Sequence, residues 1–299
     1  MKILYGISIE NFIDVTNICL SQLLRNNIIV IPEGDGTREF YFTDPLIGTL
    51  KKIIIVNDNN VSEYDDKTRV AINMADNTVQ SICLKNYDEK LEKIHSKLKI
   101  KYGVFDDELP EQKMAVRHLT GKEKVLEIGG NIGRNSLIIS SVLEDNRNLV
   151  TLETDKTIAN QLIENRDLNN FHFHVENSAL SNRRLIQKGW DSMPSDTLKE
   201  GYTWVNTITL NNLKNKYNIE FDTLVLDCEG AFYYILMDMP EILNNVNLII
   251  MENDYHDLTH KQYVDDVLLR NNFYKVYQES GGWGPCFHNF FEVWKKQRD

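Results

Sequence analysis

From about residue 100 to the C-terminus, short apolar segments alternate with segments of helical periodicity, and this alternation constrains the fold most. The apolar runs at 124–130, 148–155, 221–227 and 246–253 have the composition of buried strands. Strands that alternate with helices build βαβ units around a mostly parallel sheet. We therefore expect an α/β domain over 116–299, with ligands bound outside the carboxyl ends of its strands.

The first 85 residues have a different sequence pattern. Their short segments are rich in Ile, Val and aromatic residues and are separated by turn residues: 26–32, 39–44, 50–58 and 69–74. This spacing predicts a small β-rich domain over 1–85. Leu91, Ile94 and Leu98 then lie at helical spacing on a charged background, which predicts a helical linker over 86–115.

Charge and composition limit the binding partners and the cellular compartment that we expect for this protein. Lys and Arg number 33 against 44 Asp and Glu, a net charge of −11, so we expect no nucleic-acid partner, because that binding depends on clustered cations. The sequence contains no stretch of 18 apolar residues, so we expect no membrane span. The N-terminus lacks a signal-peptide pattern. The four cysteines are widely spaced, which predicts free thiols in a cytoplasmic protein: Cys19, Cys83, Cys228 and Cys286.

A glycine-rich turn follows the first strand of the α/β region. The sequence from Glu127 to Gly133 reads E-x-G-x-x-x-G and precedes a helix. Glycines at such a turn let a ligand approach the backbone closely. Glu153 ends the next strand, 20 residues after Gly133, where a carboxylate can bind both hydroxyls of a ribose.

Four ordered motifs resemble the FkbM family of methyltransferases. They are GGNIGRNSL at 129–137, the acid in VTLETD at 150–155, NSALSNR at 177–183 and LDCEGAFYYIL at 226–236. Thr154 stands where that family often has Pro, and Phe232 where it often has an acid. The resemblance covers roughly 100–299. It implies a Rossmann-like class I methyltransferase sheet with a C-terminal antiparallel hairpin, and S-adenosylmethionine (SAM) as cofactor.

The resemblance also implies roles for individual residues of the cofactor pocket. The backbone of the turn would face the methionine part of SAM, and Glu127 would hold the amino group directly or through water. Glu153 would bind the ribose, and the residues after the third strand would border the adenine. The cofactor-binding residues predicted in this way are Glu127, Gly129, Gly130, Asn131, Gly133, Asn135, Glu153, Asn177, Ser178 and Ala179.

Acidic residues end the fourth and fifth predicted strands, which should be neighbours. Asp227 and Glu229 follow the fourth, whereas Glu252, Asp254 and His256 follow the fifth. Methylating an alcohol requires removal of its proton, and two schemes fit these residues. Asp227, Glu229 or His256 acts as a base without metal; alternatively, Asp227 with Glu252 or Asp254 binds Mg²⁺, which lowers the pKa of the alcohol.

These patterns together predict a SAM-dependent methyltransferase that acts on a hydroxyl oxygen, with a sugar or glycan as acceptor by resemblance. The alternatives are a nucleic-acid, protein or lipid acceptor, and a module that binds SAM without catalysis. Nothing in the N-terminal domain looks catalytic. For that domain we consider dimerisation, which would give a homodimer, and docking of the acceptor.

Overall fold

The computed structural model describes residues 1–25, 27–57, 60–83, 85–189 and 191–297. The side chains of five residues are outside this description: Arg25, Ile82, Cys83, Lys85 and Asp191. The chain forms two compact units, Met1–Glu89 and Lys90–Asp299. The thiols of Cys19, Cys228 and Cys286 are free, and the predicted thiol of Cys83 lies outside the described residues.

The N-terminal unit consists of two antiparallel four-stranded sheets. Its strands are β1 (Lys2–Ser8), β2 (Asn11–Asp14), β3 (Leu24–Arg25), β4 (Ile28–Ile31), β5 (Lys52–Asn57), β6 (Asn60–Tyr64), β7 (Thr68–Asn73) and β8 (Val79–Cys83). Its helices are α1 (Thr16–Ile18), which continues as a π-helix over Cys19–Leu23, and α2 (Asp35–Phe42). The strand orders are β2-β1-β5-β6 and β3-β4-β7-β8.

Alternate residues of both sheets form the core of this unit. Ile3 lies opposite Ile55 in the pairing of β1 with β5, and Ile29 lies opposite Ile72 in the pairing of β4 with β7. All four belong to one buried cluster. The period of two follows from strand geometry, in which successive side chains point to opposite faces.

One predicted strand of this unit is a helix. The segment 39–44 has strand-like composition, but α2 covers most of it. Arg38 and Phe42, four residues apart on α2, are both fully buried. The Arg38 guanidinium donates to three backbone carbonyls at 2.6–2.9 Å, those of Pro32, Asp65 and Thr68. Burial of these two side chains at helical spacing outweighs the strand preference of the aromatic residues.

The C-terminal unit alternates strands and helices. Helix α3 (Lys85–His95) crosses the boundary between the units. The helices that follow are α4 (Leu109–His118), α5 (Arg134–Val142), α6 (Lys156–Leu168), α7 (Leu210–Tyr217), α8 (Phe232–Asp238) and α9 (Leu258–Arg270). The strands are β9 (Val125–Ile128), β10 (Leu149–Leu152), β11 (His174–Glu176), β12 (Ala179–Leu180), β13 (Leu185–Lys188), β14 (Asp191–Pro194), β15 (Thr203–Val205), β16 (Thr207–Ile208), β17 (Thr223–Leu226), β18 (Leu248–Glu252), β19 (Phe273–Glu279) and β20 (Phe291–Lys296).

Seven of these strands form the main sheet, in the order β11-β10-β9-β17-β18-β20-β19. The first five are parallel, and β20 and β19 form the C-terminal antiparallel hairpin. Every residue of β9, β10 and β17 is buried, as expected for strands covered on both faces. The predicted fold class is confirmed as an α/β, Rossmann-like, mostly parallel sheet with a C-terminal antiparallel hairpin, preceded by a small β-rich unit.

The strand order reverses between β9 and β17, so the loops after these strands diverge and leave a crevice at their carboxyl ends. An insertion that the sequence patterns did not predict lies beside this edge. It comprises the two-stranded pair β12-β16 and the three-stranded antiparallel sheet β14-β13-β15. Among the described residues, no helix is long and apolar enough to cross a bilayer.

Candidate functional site

A cavity opens at the carboxyl edge of the sheet, at the crevice between β9 and β17. The loops after β9, β10, β11 and β17 contribute to its wall. The predicted site residues on its wall are Gly129, Asn131, Glu153, Ser178, Ala179, Asp227 and Glu229. The insertion and α8 supply much of the remaining wall: Leu180, Ser181, Arg183, Leu185, Gln187, Ser192, Pro194, Ala231, Tyr234, Ile235, Asp238 and Met239.

The glycine turn is closely packed against both neighbouring strands. Gly129 has φ +93°, and a Cβ on it would lie 1.5 Å from the carbonyl oxygen of Asp227. A Cβ on Gly130 would lie 2.2 Å from Thr151 Oγ1. The N–H groups of both glycines donate to the carbonyl of Leu152 at 3.0 and 2.9 Å. Glycine is therefore required at 129 and 130 by space, and at 129 also by conformation.

Glu153 connects this turn to the end of β10. Its Oε2 accepts from the N–H of Asn131 at 2.9 Å, and its Oε1 accepts from the N–H of Asp155 at 2.8 Å. The residue is only 6% exposed, and burial raises the pKa of its carboxyl. A carboxylate has about four acceptor positions, so two bonds to backbone leave capacity for a ligand diol on the cavity side.

The loop after β11 forms the wall next to Glu153. Ser178 and Ala179 line the cavity, as predicted for residues that border an adenine. Asn177 does not line it. The Asn177 amide instead donates to the carbonyls of Glu153 and Thr154 at 2.8 and 3.0 Å. Asn177 thus holds the ends of β10 and β11 together beneath the site.

Glu127 lies within β9 and does not line the cavity. It is 2% exposed and accepts a hydrogen bond from the Ser136 hydroxyl of α5. Burial raises the pKa of its carboxyl to about 7, although the nearby hydroxyls of Ser136 and Thr151 act in the opposite direction. The structure therefore does not place Glu127 where a side chain would directly contact a ligand in the cavity.

The other predicted cofactor residues outside the cavity wall are Gly130, Gly133 and Asn135. Gly133, with φ +92°, precedes α5 and packs against Leu162. Asn135 is buried in α5, and its Oδ1 has no hydrogen-bond partner among the described residues. These residues pack around the turn without lining the cavity. Their direct contact with the cofactor stays a prediction.

Three carboxylates from β17 and β18 converge next to the cavity. Oxygen atoms of Asp227, Glu252 and Asp254 lie within 4.8 Å of one another. Glu111 of α4, 7% exposed, also faces this group and adds to the negative charge around it. We call these four residues the carboxylate cluster. Only Asp227 among them is on the cavity wall.

Burial and like charge make full ionisation of the carboxylate cluster unfavourable. Burial and the nearby charges of Glu108 and Glu111 raise the pKa of Asp227 well above its usual range. Burial and the adjacent Glu111 carboxyl raise the pKa of Glu252. For Asp254, burial and Glu229 raise the pKa to about 7. A cation at this position would restore the ionised forms, because an opposite charge favours them.

His256 and Trp283 lie apart from the cavity wall. Both are exposed, and their rings are 5.0 Å apart at an interplanar angle of 53°. His256 is therefore not brought to the cavity with Asp227, although both were predicted as bases. The pair forms an exposed aromatic surface in the loops after β18 and β19.

Sequence patterns missed the contribution of α4 and of the insertion. Glu108 and Glu111 flank the start of α4, in a segment predicted only as a linker. The sole local signal was the acidic run at 106–108 followed by Pro110, which is typical of a helix start. Local periodicity does not show that α4 packs beside β18 and brings its acids to the site.

No protein-family model matches the chain, and no curated protein matches it. Solved structures with a similar fold include the O-methyltransferase from Bacillus cereus in complex with SAH, at 15% identity and TM-score 0.42, covering 71% of this chain and 90% of that one. TomG from Streptomyces achromogenes, an O-methyltransferase involved in tomaymycin synthesis and solved with SAM, has 13% identity and TM-score 0.39, covering 71% and 91%. An rRNA methylase from Streptococcus thermophilus has 10% identity and TM-score 0.39, covering 63% and 95%.

Proposed function

We propose that this chain is a methyltransferase that moves a methyl group from SAM to a hydroxyl oxygen of a sugar or glycan. The observation that carries the proposal is the composition of one cavity wall. Gly129 and Glu153, which suit the cofactor, line the same cavity as Asp227, a buried carboxyl suited to take a proton.

The residues present fit SAM. Gly129 lets the turn pack directly against the Asp227 carbonyl and line the cavity with backbone, and Glu153 has acceptor capacity for the ribose. SAM has no phosphate and carries a sulfonium cation, so it suits a cavity with acids on its wall and needs no cationic turn. When bound, it supplies an electrophilic methyl group.

Asp227 is the residue that we assign to proton removal. As the acceptor oxygen forms a bond to the methyl carbon, the carbon–sulfur bond breaks and its electron pair stays on sulfur. The hydroxyl proton passes to the Asp227 carboxylate, which leaves a methyl ether and S-adenosylhomocysteine (SAH). A carboxylate with a raised pKa is a stronger base than an ordinary one once it is ionised.

The same carboxylates suit a divalent cation. Asp227, Glu252 and Asp254 offer the hard oxygen ligands that Mg²⁺ prefers, and burial together with neighbouring carboxylates raises their pKa values. In this alternative scheme the three residues would hold the ion, and Asp227 would be a ligand instead of the base. Bound there, the ion would lower the pKa of the acceptor hydroxyl.

Two observations support a sugar or glycan acceptor. The four FkbM-like motifs occur in the order typical of that family. The exposed Trp283, beside His256, offers an apolar ring face of the kind that sugar rings stack on. The net charge of −11 weighs against a nucleic-acid acceptor. Dimerisation through the N-terminal unit stays a prediction.

The test is methyl transfer from labelled SAM to separate panels of glycans, RNA, proteins and lipids, with products identified by mass spectrometry. We expect label in a methyl ether on a glycan. Asp227→Asn should abolish turnover while SAH affinity persists, and the exposed Glu241→Gln serves as control. If label appears only in RNA, protein or lipid, the proposed glycan acceptor is wrong. SAH binding without turnover on any panel would indicate a binding module. No SAH binding would overturn the proposal entirely.

A further inference from the structure

The segment before α4 lies directly over the glycine turn. The N–H groups of Lys99 and Lys101 donate to the side-chain oxygens of Asn169 and Asn165, both at 2.8 Å. The Asn165 amide in turn donates to the carbonyl of Ile132, within the turn, at 2.9 Å. The bond to Ile132 is buried and the bond from Lys101 is partly buried, and such bonds fix backbone position, so the segment and the turn are held as one structure.

The packing of this segment also leaves little space above the turn. A Cβ on Gly103, which has φ +82°, would lie 2.3 Å from Ile132 Cδ1. Arg134, at the start of α5, donates from Nε to the carbonyl of Val104 at 3.1 Å. The segment that leads to Glu108 is therefore anchored at both Ile132 and Arg134.

Glu108 is held against the turn in an uncommon conformation. Its φ is +59°, in the left-handed region that non-glycine residues rarely adopt. Its Oε1 accepts from Asn131 Nδ2 at 3.2 Å and from Arg134 Nη1 at 2.6 Å. Its Oε2 accepts no hydrogen bond from the residues that the structure describes. Strain at a fixed position marks a residue whose placement the surrounding structure determines.

The Glu108 carboxylate is not on the cavity wall itself, but it accepts a hydrogen bond from Asn131, which is. After burial, the charge of Glu108 contributes most to raising the pKa of Asp227, another residue of that wall. The Glu108 side chain keeps 17% of its surface exposed, in contrast to the fully enclosed Glu127. A carboxylate oxygen without a partner is thus available close to the glycine turn, on the side of Asp227.

We propose that Glu108 binds the α-amino group of the cofactor's methionine moiety, the role that the sequence had suggested for Glu127. This inference rests on the proposed function. An ammonium group can donate to Oε2 while Oε1 keeps its bonds to Asn131 and Arg134. Glu111 and Asp107 add negative charge near Glu108, so the site favours a cation although Arg134 is paired with Glu108.

The test compares two ligands that differ only in the amino group, SAH and its deamino analogue, by calorimetry. For Glu108→Gln we expect SAH affinity to fall by about 10- to 100-fold, the usual effect of losing a charged hydrogen bond. Affinity for the deamino analogue should stay within about twofold, because that ligand makes no bond to Glu108. Equal losses for both ligands, or no loss for either, would overturn the proposal.

Two further variants separate recognition from folding. Glu108→Asn removes the charge but suits the left-handed conformation, which offsets part of the loss of the pair with Arg134, and it should show the same selective loss. Glu127→Gln is the matched control and should leave the ratio of the two affinities unchanged; a selective loss there, instead of at Glu108, would contradict us. If the native protein binds neither ligand, the proposed function itself fails.

Discussion

Gly129 and Asp227 approach so closely that a single added carbon at Gly129 would lie 1.5 Å from the Asp227 carbonyl oxygen. We predict that Gly129→Ala abolishes SAH binding and lowers the melting temperature markedly, because the strand ends must separate to admit the methyl group. Gly284 is the matched control: its φ is +83°, but a Cβ there meets nothing within 4 Å. Gly284→Ala should cost only about 1 kcal/mol and leave binding intact, and similar effects of the two variants would contradict this account.

Glu153→Ala should weaken SAH binding by about 10- to 10,000-fold, since the loss of one or two charged hydrogen bonds to the ribose is worth roughly 1.5–3 kcal/mol each. The variant also removes the acceptor for the Asn131 and Asp155 N–H groups, so calorimetry should be paired with circular dichroism. Glu241→Ala, on an exposed surface, controls for loss of charge. Native affinity in Glu153→Ala would count against the assigned cofactor pocket.

The main sheet could be predicted because its strands are buried on both faces, which produces uninterrupted apolar runs. The convergence of Asp227, Glu252 and Asp254 could also be predicted, because carboxyl ends of neighbouring parallel strands meet at one edge. Glu127 was assigned to the cofactor from its place in the motif, but it lies inside β9, where its side chain meets Ser136 of α5. The acids of α4 reach the site through tertiary packing, which a local pattern does not encode.

Glu127 should make stability depend on pH. Its pKa is about 7 in the folded protein against 4.5 ordinarily, so the folded state binds this proton more tightly than the unfolded state. The stability that this proton contributes is therefore complete below about pH 4.5 and is lost as pH rises through 7. We expect Glu127→Gln, measured by urea denaturation, to gain on the order of 2–3 kcal/mol relative to the native chain between pH 5 and pH 8. A difference that does not vary with pH would contradict this.

The carboxylate cluster should bind Mg²⁺. After treatment with a chelator, added Mg²⁺ should raise the melting temperature at pH 7.5, because binding at 100 times the dissociation constant stabilises the folded state by about 2.7 kcal/mol. Asp254→Asn should reduce this shift, whereas Asp238→Asn, on the cavity wall but outside the cluster, should keep it. Absence of any Mg²⁺ effect in the native protein would remove the metal from the scheme and leave proton removal to Asp227 alone.

Lys51 and Lys52 are adjacent in sequence but should differ strongly in their effect on the N-terminal unit. Lys51 is 1% exposed, and its Nζ lies 2.6–3.0 Å from carboxylates of Asp35, Glu39 and Asp44. Lys51→Ala should cost about 1–3 kcal/mol, because it leaves three clustered, partly exposed carboxylates without their cation. Lys52 pairs with Glu63 at the surface, where both are at least 40% exposed, and Lys52→Ala should cost at most about 1 kcal/mol. All four tryptophans lie beyond residue 89, so hydrogen exchange of peptides from 1–89 is the suitable measurement. Equal protection in the two variants would show that the buried ion pairs do not stabilise this unit.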